Sequence, residues 1–361
     1  RRRARRQGGL VMRRRPLLAL PWLAAWPHAL ALPARDIRFP RDHGAHSAFR
    51  TEWWYLTGWL EGAGERPVGF QITFFRSRPA TDPANPSAFA PRQILFAHAA
   101  LSDPARGKLV HDQRIARQGF GIAAAREDDT GIRLLDWRLD RRADGTFHAI
   151  VPARDFSLDL RFAPTQPIML NGDKGYSRKG ARPEEASYYY SMPHLTVSGT
   201  ITRGGKPVPV RGRAWLDREW SSSPLPPEAV GWDWTGINFD DGASLMAFQV
   251  RARDGRALHA GGTYRGPDGK QVALGAADVR FLPRRRWRSP DTGASYPVAA
   301  DFEIRLPGGA RRIALTPLFD AQELDGRSAG MPVYWEGLVT TPGGRGYLEL
   351  TGYAGAVTLD R

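Results

Sequence analysis

After residue 40 the chain is a succession of short apolar segments in which hydrophobic and polar positions alternate. No long stretch has the 3.6-residue apolar spacing of an amphipathic helix. Turn dipeptides such as Asp144-Gly145, Asp241-Gly242 and Gly308-Gly309 separate many of these segments. Short strands joined by tight turns are typical of an antiparallel barrel or sandwich. The pattern predicts strands at residues 53–60, 68–75, 131–139, 156–162, 195–201, 244–250, 302–306 and 347–351.

The second half of the chain repeats features of the first half. Five residues recur 178 positions later without a gap: Trp54, Thr57, Gly58, Phe70 and Gln71 are matched by Trp232, Thr235, Gly236, Phe248 and Gln249. The halves also end alike, because the segment Gly212–Asp217 resembles the segment Gly344–Glu349. A Ser/Pro linker at residues 221–227 separates the two copies, and its prolines cannot pair inside a sheet.

Each copy has the length of one closed antiparallel sheet. Closing a sheet removes its exposed edges, and a barrel of about eight strands leaves room for one apolar ligand. The sequence therefore predicts an all-β fold of two tandem antiparallel β-barrels, at residues 38–222 and 228–361. Polar loops at residues 78–92 and 171–187 either cover a barrel mouth or are plain surface loops.

Composition and charge exclude several classes of function. The composition is that of a globular protein, and 361 residues suffice for two cores of ordinary size. The formal net charge of +15 suggests a nucleic-acid partner at first. However, eight of these charges are arginines within residues 1–31, and the remaining +7 is scattered apart from Arg284–Arg286 and Arg288. We therefore predict no nucleic-acid partner. The chain has no cysteine, which excludes disulfides and thiolate metal sites.

The first 31 residues have the pattern of an export signal. From Met12, a basic segment is followed by a short apolar segment and by Ala29-Leu30-Ala31, a small-x-small cleavage site. The apolar segment is too short and too rich in proline to span a bilayer, so we expect no transmembrane helix in the mature chain. Arg13-Arg14 leaves open whether the general or the twin-arginine route is used. We expect a periplasmic or secreted protein.

The stretch that joins the two copies carries the densest candidate chemistry. Asp217, Glu219 and Asp233 lie among four tryptophans, and carboxylates beside indoles are costly to bury unless they are paired or used. A carboxyl group in an aromatic pocket has a raised pKa and can protonate an alkene. Indole faces stabilise the resulting cation, and a second carboxylate can orient water. These three acids are therefore candidate catalytic residues for hydration.

Alternation along a strand places Asp217 and Glu219 on one face and Arg218 on the other. Asp233 likewise faces away from the tryptophans that flank it. An alternative without catalysis stays open, in which Arg218 pairs with an acid such as Asp233 and holds the barrels together. Aromatic side chains that line a cavity, or else pack in a core, are the candidate ligand-binding residues: Trp54, Tyr189, Trp220, Trp232, Trp234 and Trp335.

A metal site has weaker support. The segment Asp42-His43-x-x-His46, with Glu52 and His98 from elsewhere in the chain, has the residue types of a metal site. Two histidines three apart in a loop are a weak signal. The chain also has no P-loop and no dinucleotide-binding fingerprint. We therefore predict neither a metal nor an organic cofactor.

A set of motifs from about residue 38 to the C-terminus resembles a known family. The motifs are T-E-W-W-Y-L-T-G (51–58), G-F-Q-I-T-F-F-R (69–76), A-H-A-A-L-S-D (97–103), S-R-K-G (177–180), A-S-Y-Y-Y-S-M-P (186–193), A-W-L-D-R-E-W-S-S (214–222), G-W-D-W-T-G (231–236), V-Y-W-E-G (333–337) and G-Y-L-E-L-T-G-Y (346–353). As a set they resemble the lipocalin-like family of predicted secreted hydrolases and carotenoid 1,2-hydratases. The resemblance implies two consecutive lipocalin-like barrels, a lipophilic ligand, no cofactor, and often a link to an export ABC transporter.

The hydratases of this family share a D-H-x-W motif. This chain has Asp217-Arg218-Glu219-Trp220, so Arg218 takes the place of the histidine among the candidate catalytic residues. Arginine stays charged near neutral pH and cannot shuttle a proton. The substitution therefore argues against a histidine-dependent carotenoid hydration.

The predicted function is an exported, cofactor-free protein that binds a lipophilic polyene or lipid. It acts on this ligand as a hydratase or hydrolase through the carboxylates of the joining stretch. The alternative is a non-enzymatic lipid carrier or an accessory protein of an envelope ABC transporter. An enzyme needs one of these acids to face a cavity without a saturating arginine partner, whereas a carrier needs only an apolar pocket.

Overall fold

The structure is a computed structural model that describes residues 35–62, 64, 66–80, 84–223 and 225–357. These residues form two antiparallel sheets and two short 3-10 helices, Arg41–His43 and Arg327–Ala329. The predicted all-β fold of two tandem lipocalin-like barrels is confirmed. The predicted signal segment, residues 1–31, lies outside the described residues. Within the described ranges, none of the helices has the length and apolarity that crossing a bilayer requires.

The first sheet pairs its first strand with its last. Its strands are β1 (Thr51–Glu61), β2 (Val68–Ser77), β3 (Ile94–Asp103), β4 (Lys108–Arg117), β5 (Ala123–Ala125), β6 (Gly131–Leu134), β7 (Trp137–Arg141), β8 (Phe147–Pro152), β9 (Phe156–Ala163), β10 (Met169–Leu170), β11 (Tyr176–Arg178), β12 (Ala186–Arg203) and β13 (Lys206–Ser223). Their order is β4-β3-β2-β1-β13-β12-β9-β8-β7-β6-β5, and β10 and β11 pair with β12. The pairing of β1 with β13 brings the two ends of the unit together, as barrel closure requires.

The second sheet has the same arrangement. Its strands are β14 (Ala229–Phe239), β15 (Ser244–Ala252), β16 (Ala257–Arg265), β17 (Gln271–Leu274), β18 (Val279–Arg288), β19 (Ser295–Leu306), β20 (Gly309–Pro317), β21 (Glu323–Asp325), β22 (Val333–Thr341) and β23 (Gly344–Leu350). Their order is β17-β16-β15-β14-β23-β22-β20-β19-β18, and β21 pairs with β22. Here too the first strand, β14, pairs with the last, β23.

The segment predicted as one strand at residues 131–139 is instead a hairpin of β6 and β7. Leu135 stands at its turn with a φ of 57°, a left-handed conformation that few leucines adopt. Its side chain is exposed, whereas Leu134 and Trp137 are buried in the barrel core. Asp136 is the one residue there that favours a turn, and the alternating pattern around it conceals the break.

The two barrels pack outer face against outer face, so the strands at the contact are buried on both sides. In β1, Trp54 and Leu56 point into the first barrel, while Tyr55 joins a cluster between the barrels. In β14, Ile237 points into the second barrel and Trp234 joins the same cluster. Because side chains alternate along a strand, each of these strands supplies one set of residues to a barrel core and the other to the contact.

The offset of 178 residues found in the sequence does not give the structural register of the repeat. It equates Trp54 with Trp232, yet Trp54 lies in the first barrel core and Trp232 lies at the contact between barrels. The resemblance at the strand ends gives the correct register, because Asp217 and Glu349 both face that contact. A shift of one residue moves every side chain of a strand to its other face.

A buried charge network joins β1, β2 and β13 in the first barrel. Glu52 on β1 pairs with both Arg76 on β2 and Arg218 on β13, and all three side chains are buried. The guanidinium carbon of Arg218 also lies 3.7 Å from the ring centre of Trp54. Burial by itself would raise the pKa of Glu52, but the neighbouring Arg218 holds it below its usual range.

We expect Glu52→Gln to destabilise the first barrel by about 3–5 kcal/mol, because two buried guanidinium groups then lack their anion. Urea unfolding followed by tryptophan fluorescence measures this loss. Asp128→Asn is the control, since Asp128 pairs with Arg126 at the surface and exposed ion pairs contribute little. Equal unfolding midpoints for wild type and Glu52→Gln would contradict a stabilising role for the network.

Candidate functional site

A cavity of about 340 Å³ lies between the two barrels. The first barrel contributes outward-facing side chains of β1, β2, β3, β12 and β13, and the second contributes those of β14, β15, β22 and β23. Much of the wall is aromatic or aliphatic and includes Trp53, Phe75, Trp232, Trp234, Phe248 and Val250. Four carboxylates line the same space: Asp217, Glu219, Glu336 and Glu349.

Asp217 is held by neutral hydrogen-bond donors. Its carboxylate accepts from Tyr189 Oη at 2.5 Å, Ser191 Oγ at 2.5 Å and Trp215 Nε1 at 2.6 Å. The residue is 3% exposed. Burial raises the pKa of Asp217 to about 7, although the three hydrogen bonds oppose the shift. This carboxyl group can therefore both hold and release a proton near neutral pH.

Glu219, two residues further along the same face, is an ion-paired acid. Lys179 Nζ lies 3.0 Å from its Oε1, and the Ser187 hydroxyl donates to the same oxygen. The ammonium nitrogen also lies 4.2 Å from the ring centre of Phe248, a cation–π contact within the cavity. Burial lowers the pKa of Lys179, and the Glu219 carboxylate opposes that shift. Lys179 belongs to the loop at residues 171–187, which was predicted either to cover a barrel mouth or to be a plain surface loop. Its side chain reaches the cavity between the barrels.

Two further carboxylates, which the sequence analysis did not select, face each other across β22 and β23. Glu336 and Glu349 are register partners. Trp232 Nε1 donates to Glu349 at 3.0 Å, whereas Glu336 makes no well-formed hydrogen bond and lies beside the hydroxyl groups of Tyr55 and Tyr334. Burial raises the pKa of Glu349 to about 7. Burial and repulsion by Glu349 raise the pKa of Glu336 well above its usual range, so the pair holds a proton more readily than two exposed carboxylates do.

Three of the six predicted ligand-binding aromatics line the cavity, namely Tyr189, Trp232 and Trp234. The Tyr189 hydroxyl donates to Asp217 and accepts from Trp234 Nε1 at 2.9 Å, so it links the two barrels. The other three predicted aromatics lie in the barrel cores, because they occupy inward-facing positions of their strands. They are Trp54, Trp220 and Trp335.

Two of the predicted catalytic residues do not reach the cavity. Asp233 points into the second barrel, where Arg251 Nε lies 2.8 Å away and Tyr353 Oη donates at 2.8 Å. Burial raises the pKa of Asp233 to about 6, and Arg251 opposes the shift. Arg218 points into the first barrel and pairs with Glu52. The hypothesised Arg218–Asp233 pair does not form, because alternation directs the two side chains into different barrels.

The residues considered for a metal site lie in two separate environments. His46 Nε2 is 3.0 Å from Asp42 and its Nδ1 is 3.2 Å from Glu52, within the charge network of the first barrel. His98 lies in the cavity between the barrels, where its Nδ1 is 2.9 Å from Tyr334 Oη. Across the residues that the structure describes, no group of three histidine or acidic side chains is arranged to hold a metal ion.

The segment Gly326–Gly330 has the G-x-S-x-G spacing of a serine hydrolase. A nucleophile elbow of that kind needs a sharp strand-to-helix turn. Here the segment forms a short 3-10 helix that connects β21 to β22, and Ser328 is exposed. The acids of the cavity are therefore better placed for chemistry than this serine.

Of the two cavity acids that were not predicted from the sequence, Glu349 could have been found from the internal repeat. The segment Gly344–Glu349 copies Gly212–Asp217, and Glu349 occupies in β23 the position that Asp217 occupies in β13. Glu336 has no such copy. Its only sign is a single acid within the apolar segment Val333–Val339, and the sequence does not say which face of that strand is buried against the other barrel.

The fold and the site define a class of protein with two lipocalin-like barrels and an aromatic, acid-lined cavity between them. The model of the AttH-like family matches residues 30–353, and the chain belongs to the AttH-like family. A crystal structure provisionally identified as AttH from Nitrosomonas europaea is 50% identical, with a TM-score of 0.82, and the match covers 90% of this chain and 99% of that chain.

More distant similarity extends to kievitone hydratase from Nectria haematococca. It has the same fold at 13% identity, with a TM-score of 0.68 and coverage of 90% of this chain and 94% of that chain. At this identity the similarity defines the fold alone. A comparison with curated proteins gives no match.

We expect Asp217→Asn to change how stability depends on pH. Between about pH 4 and pH 7 the unfolded chain releases the proton of Asp217 while the folded protein retains it, so the wild type loses stability as pH rises. The asparagine variant lacks this loss. Its free energy of unfolding relative to wild type should therefore rise by up to about 4 kcal/mol from pH 4 to pH 8.

Urea unfolding at the two pH values measures this difference. Asp128→Asn, a substitution at an exposed carboxylate, controls for the general effect of removing a charge. A constant stability difference between Asp217→Asn and wild type at both pH values would mean that the Asp217 pKa is not raised.

Proposed function

We propose that this protein binds a lipophilic small molecule, a polyene or another lipid, in the cavity between its barrels and adds or removes water by acid–base catalysis. The observation that carries the proposal is Asp217, a buried carboxyl group with a pKa near neutrality in the wall of an aromatic cavity. The shared fold of kievitone hydratase, a hydratase by its name, supports the same class of reaction.

The first step is proton transfer from Asp217 to one carbon of the double bond. The acid must still be protonated at the working pH, and a pKa of about 7 meets that condition. When the proton leaves, Tyr189, Ser191 and Trp215 already point their hydrogens at the carboxylate that forms. These fixed donors stabilise the new charge without reorganisation.

The carbocation that follows is stabilised by the cavity wall. Trp232, Trp234 and Phe248 line the space, and each aromatic face contributes about 0.5–2 kcal/mol to a cation over it. The Lys179 ammonium group would repel the cation, but the Glu219 carboxylate 3.0 Å away neutralises it. Aromatic faces and a paired lysine therefore leave the cavity suited to a transient positive charge.

Water then adds to the cation, and the excess proton needs an acceptor. The pair of Glu336 and Glu349 fits this role, because Glu349 has a pKa of about 7 and Trp232 fixes one of its oxygens. The steps balance: Asp217 loses a proton, water bonds to the second carbon, and the glutamate pair gains a proton. The same groups in opposite roles catalyse dehydration.

The competing function is that of a lipid carrier, which binds its ligand in the same cavity but transfers no proton. Export from the cytoplasm is part of the proposal and rests on the pattern of residues 1–31. A partnership with an envelope ABC transporter is likewise proposed from the family resemblance. Neither depends on the chemistry of the cavity.

We expect Asp217→Asn to lower turnover roughly 100-fold or more, because loss of a general acid has effects of this size. Ligand binding should persist, since the side chain keeps its shape. Purified protein is incubated with a panel of isoprenoid alkenes in water labelled with heavy oxygen, and mass spectrometry detects products that contain the label.

Asp233→Asn is the matched control, because Asp233 is an equally buried aspartate with a raised pKa that lies outside the cavity. It should retain turnover. Equal turnover by Asp217→Asn and wild type would remove Asp217 from the mechanism. Binding of panel members by the wild type without incorporation of label would favour the carrier.

A further inference from the structure

Buried polar atoms without partners converge on one part of the cavity. Among the described residues, Gln71 Oε1 and His98 Nε2 are buried and have no hydrogen-bond partner, and the Tyr55 hydroxyl and Glu336 carboxyl groups, which lie beside each other, are buried there too without a well-formed hydrogen bond. All four residues line the cavity. Buried polar groups in native proteins are nearly always paired, so a cluster of exceptions marks a place where a bound molecule supplies the partners.

This group of four residues, the polar subsite, is built by both barrels. Tyr55, Gln71 and His98 stand on the neighbouring strands β1, β2 and β3, and Glu336 stands on β22 of the second barrel. Two of its members, Gln71 and His98, lie further from the acid Asp217 than Tyr55 does. Asp217 on β13 pairs with Tyr55 on β1, Tyr55 pairs with Thr73 on β2, and Thr73 pairs with His98 on β3. The backbone of His98 is therefore three strand spacings, about 14 Å along the sheet, from that of Asp217.

The hydrogen-bond network fixes which atoms of the subsite donate. Gln71 Nε2 donates to Thr73 Oγ1 at 2.9 Å and to Tyr334 Oη at 3.2 Å, which uses both of its hydrogens. Tyr334 Oη, which accepts from Gln71, lies 2.9 Å from His98 Nδ1, and we assign its own hydrogen to that nitrogen. Burial lowers the pKa of His98 to about 3, so the ring is neutral and its one hydrogen is on Nε2. The subsite thus presents a free donor on His98 and a free acceptor on Gln71.

We propose that the polar subsite binds a hydroxyl group of the ligand, which donates to Gln71 Oε1 and accepts from His98 Nε2. The ligand is then an oxygenated lipophile such as an isoprenoid alcohol, with its hydroxyl group beside β2 and β3, two to three strand spacings or about 10–14 Å from the strand of Asp217. This inference rests on the proposed function only in that the same cavity holds the ligand, and it does not require the reaction.

Other polar groups fit the subsite less well. A carbonyl group can accept from His98 but leaves Gln71 Oε1 unpaired, because it has no hydrogen to donate. A carboxylate would face Gln71 Oε1 and the acids Glu336 and Glu349. A hydrocarbon leaves every atom of the subsite unpaired, and sites built to bind a hydroxyl group reject analogues that lack it.

The test uses pairs of ligands that differ only in the hydroxyl group. Farnesol and geranylgeraniol, each with the hydrocarbon of the same skeleton, are titrated into the full-length protein. Quenching of tryptophan fluorescence reports binding, because Trp53, Trp232 and Trp234 line the cavity. We expect the wild type to bind the alcohol of a pair about tenfold more tightly than the hydrocarbon, the factor that one net hydrogen bond supplies.

Gln71→Met removes the acceptor and keeps a side chain of similar length. It should lower the affinity for the alcohol about tenfold and leave the affinity for the hydrocarbon unchanged, which also shows that the cavity is intact. Gln249→Met is the matched control. Gln249 is the sequence copy of Gln71, but it lines a separate cavity in the second barrel, so this variant should bind both ligands as the wild type does.

The outcomes separate the two proposals. Equal affinity of the wild type for alcohol and hydrocarbon overturns the polar subsite and leaves the proposed function standing, since the cavity still binds a lipophile. Unchanged selectivity in Gln71→Met overturns the subsite as well. If none of the four ligands binds to the wild type, both the subsite and the proposed function are overturned.

Discussion

The packing of the two barrels outer face against outer face is the constraint on which the site depends. A barrel strand normally buries one face and exposes the other, but at this contact β1, β13, β14 and β23 have no solvent-facing side. Polar residues on those outer faces are therefore buried, and each needs a partner or a shifted protonation state. In the cavity between the barrels, that requirement is met by hydrogen bonds, an ion pair and raised pKa values.

The four acids of the cavity meet the requirement in different ways. Asp217 has three neutral donors, Glu219 has the ammonium group of Lys179, and Glu349 has the indole N–H of Trp232. Glu336 lies beside the hydroxyl groups of Tyr55 and Tyr334, and burial together with repulsion by Glu349 raises its pKa well above the usual range. Burial raises the pKa of both Asp217 and Glu349 to about 7, so each carboxyl group can hold or release a proton near neutral pH.

The motif Asp217–Trp220 is divided between two environments. Asp217 and Glu219 face the cavity, whereas Arg218 and Trp220 face the core of the first barrel. The family resemblance leads one to expect a histidine at position 218, and this chain has there an arginine of the charge network around Glu52. The arginine therefore affects how β13 is joined to β1, and it does not supply or withhold a proton in the cavity.

The all-β class, the two barrels and the alternation that separates Asp217 and Glu219 from Arg218 could be predicted from the sequence, because they follow from local periodicity and from the repeat. The sequence also contained the acid of β23, through the copy of Gly212–Asp217 at Gly344–Glu349. Which side of each of these strands lines the cavity became known from the packing of the two barrels. This packing places Asp233 outside the cavity and brings Glu336 and the other residues of the polar subsite together. The reason is that both faces of these strands are apolar enough to be buried, and the choice between barrel core and contact is made by packing against a distant part of the chain.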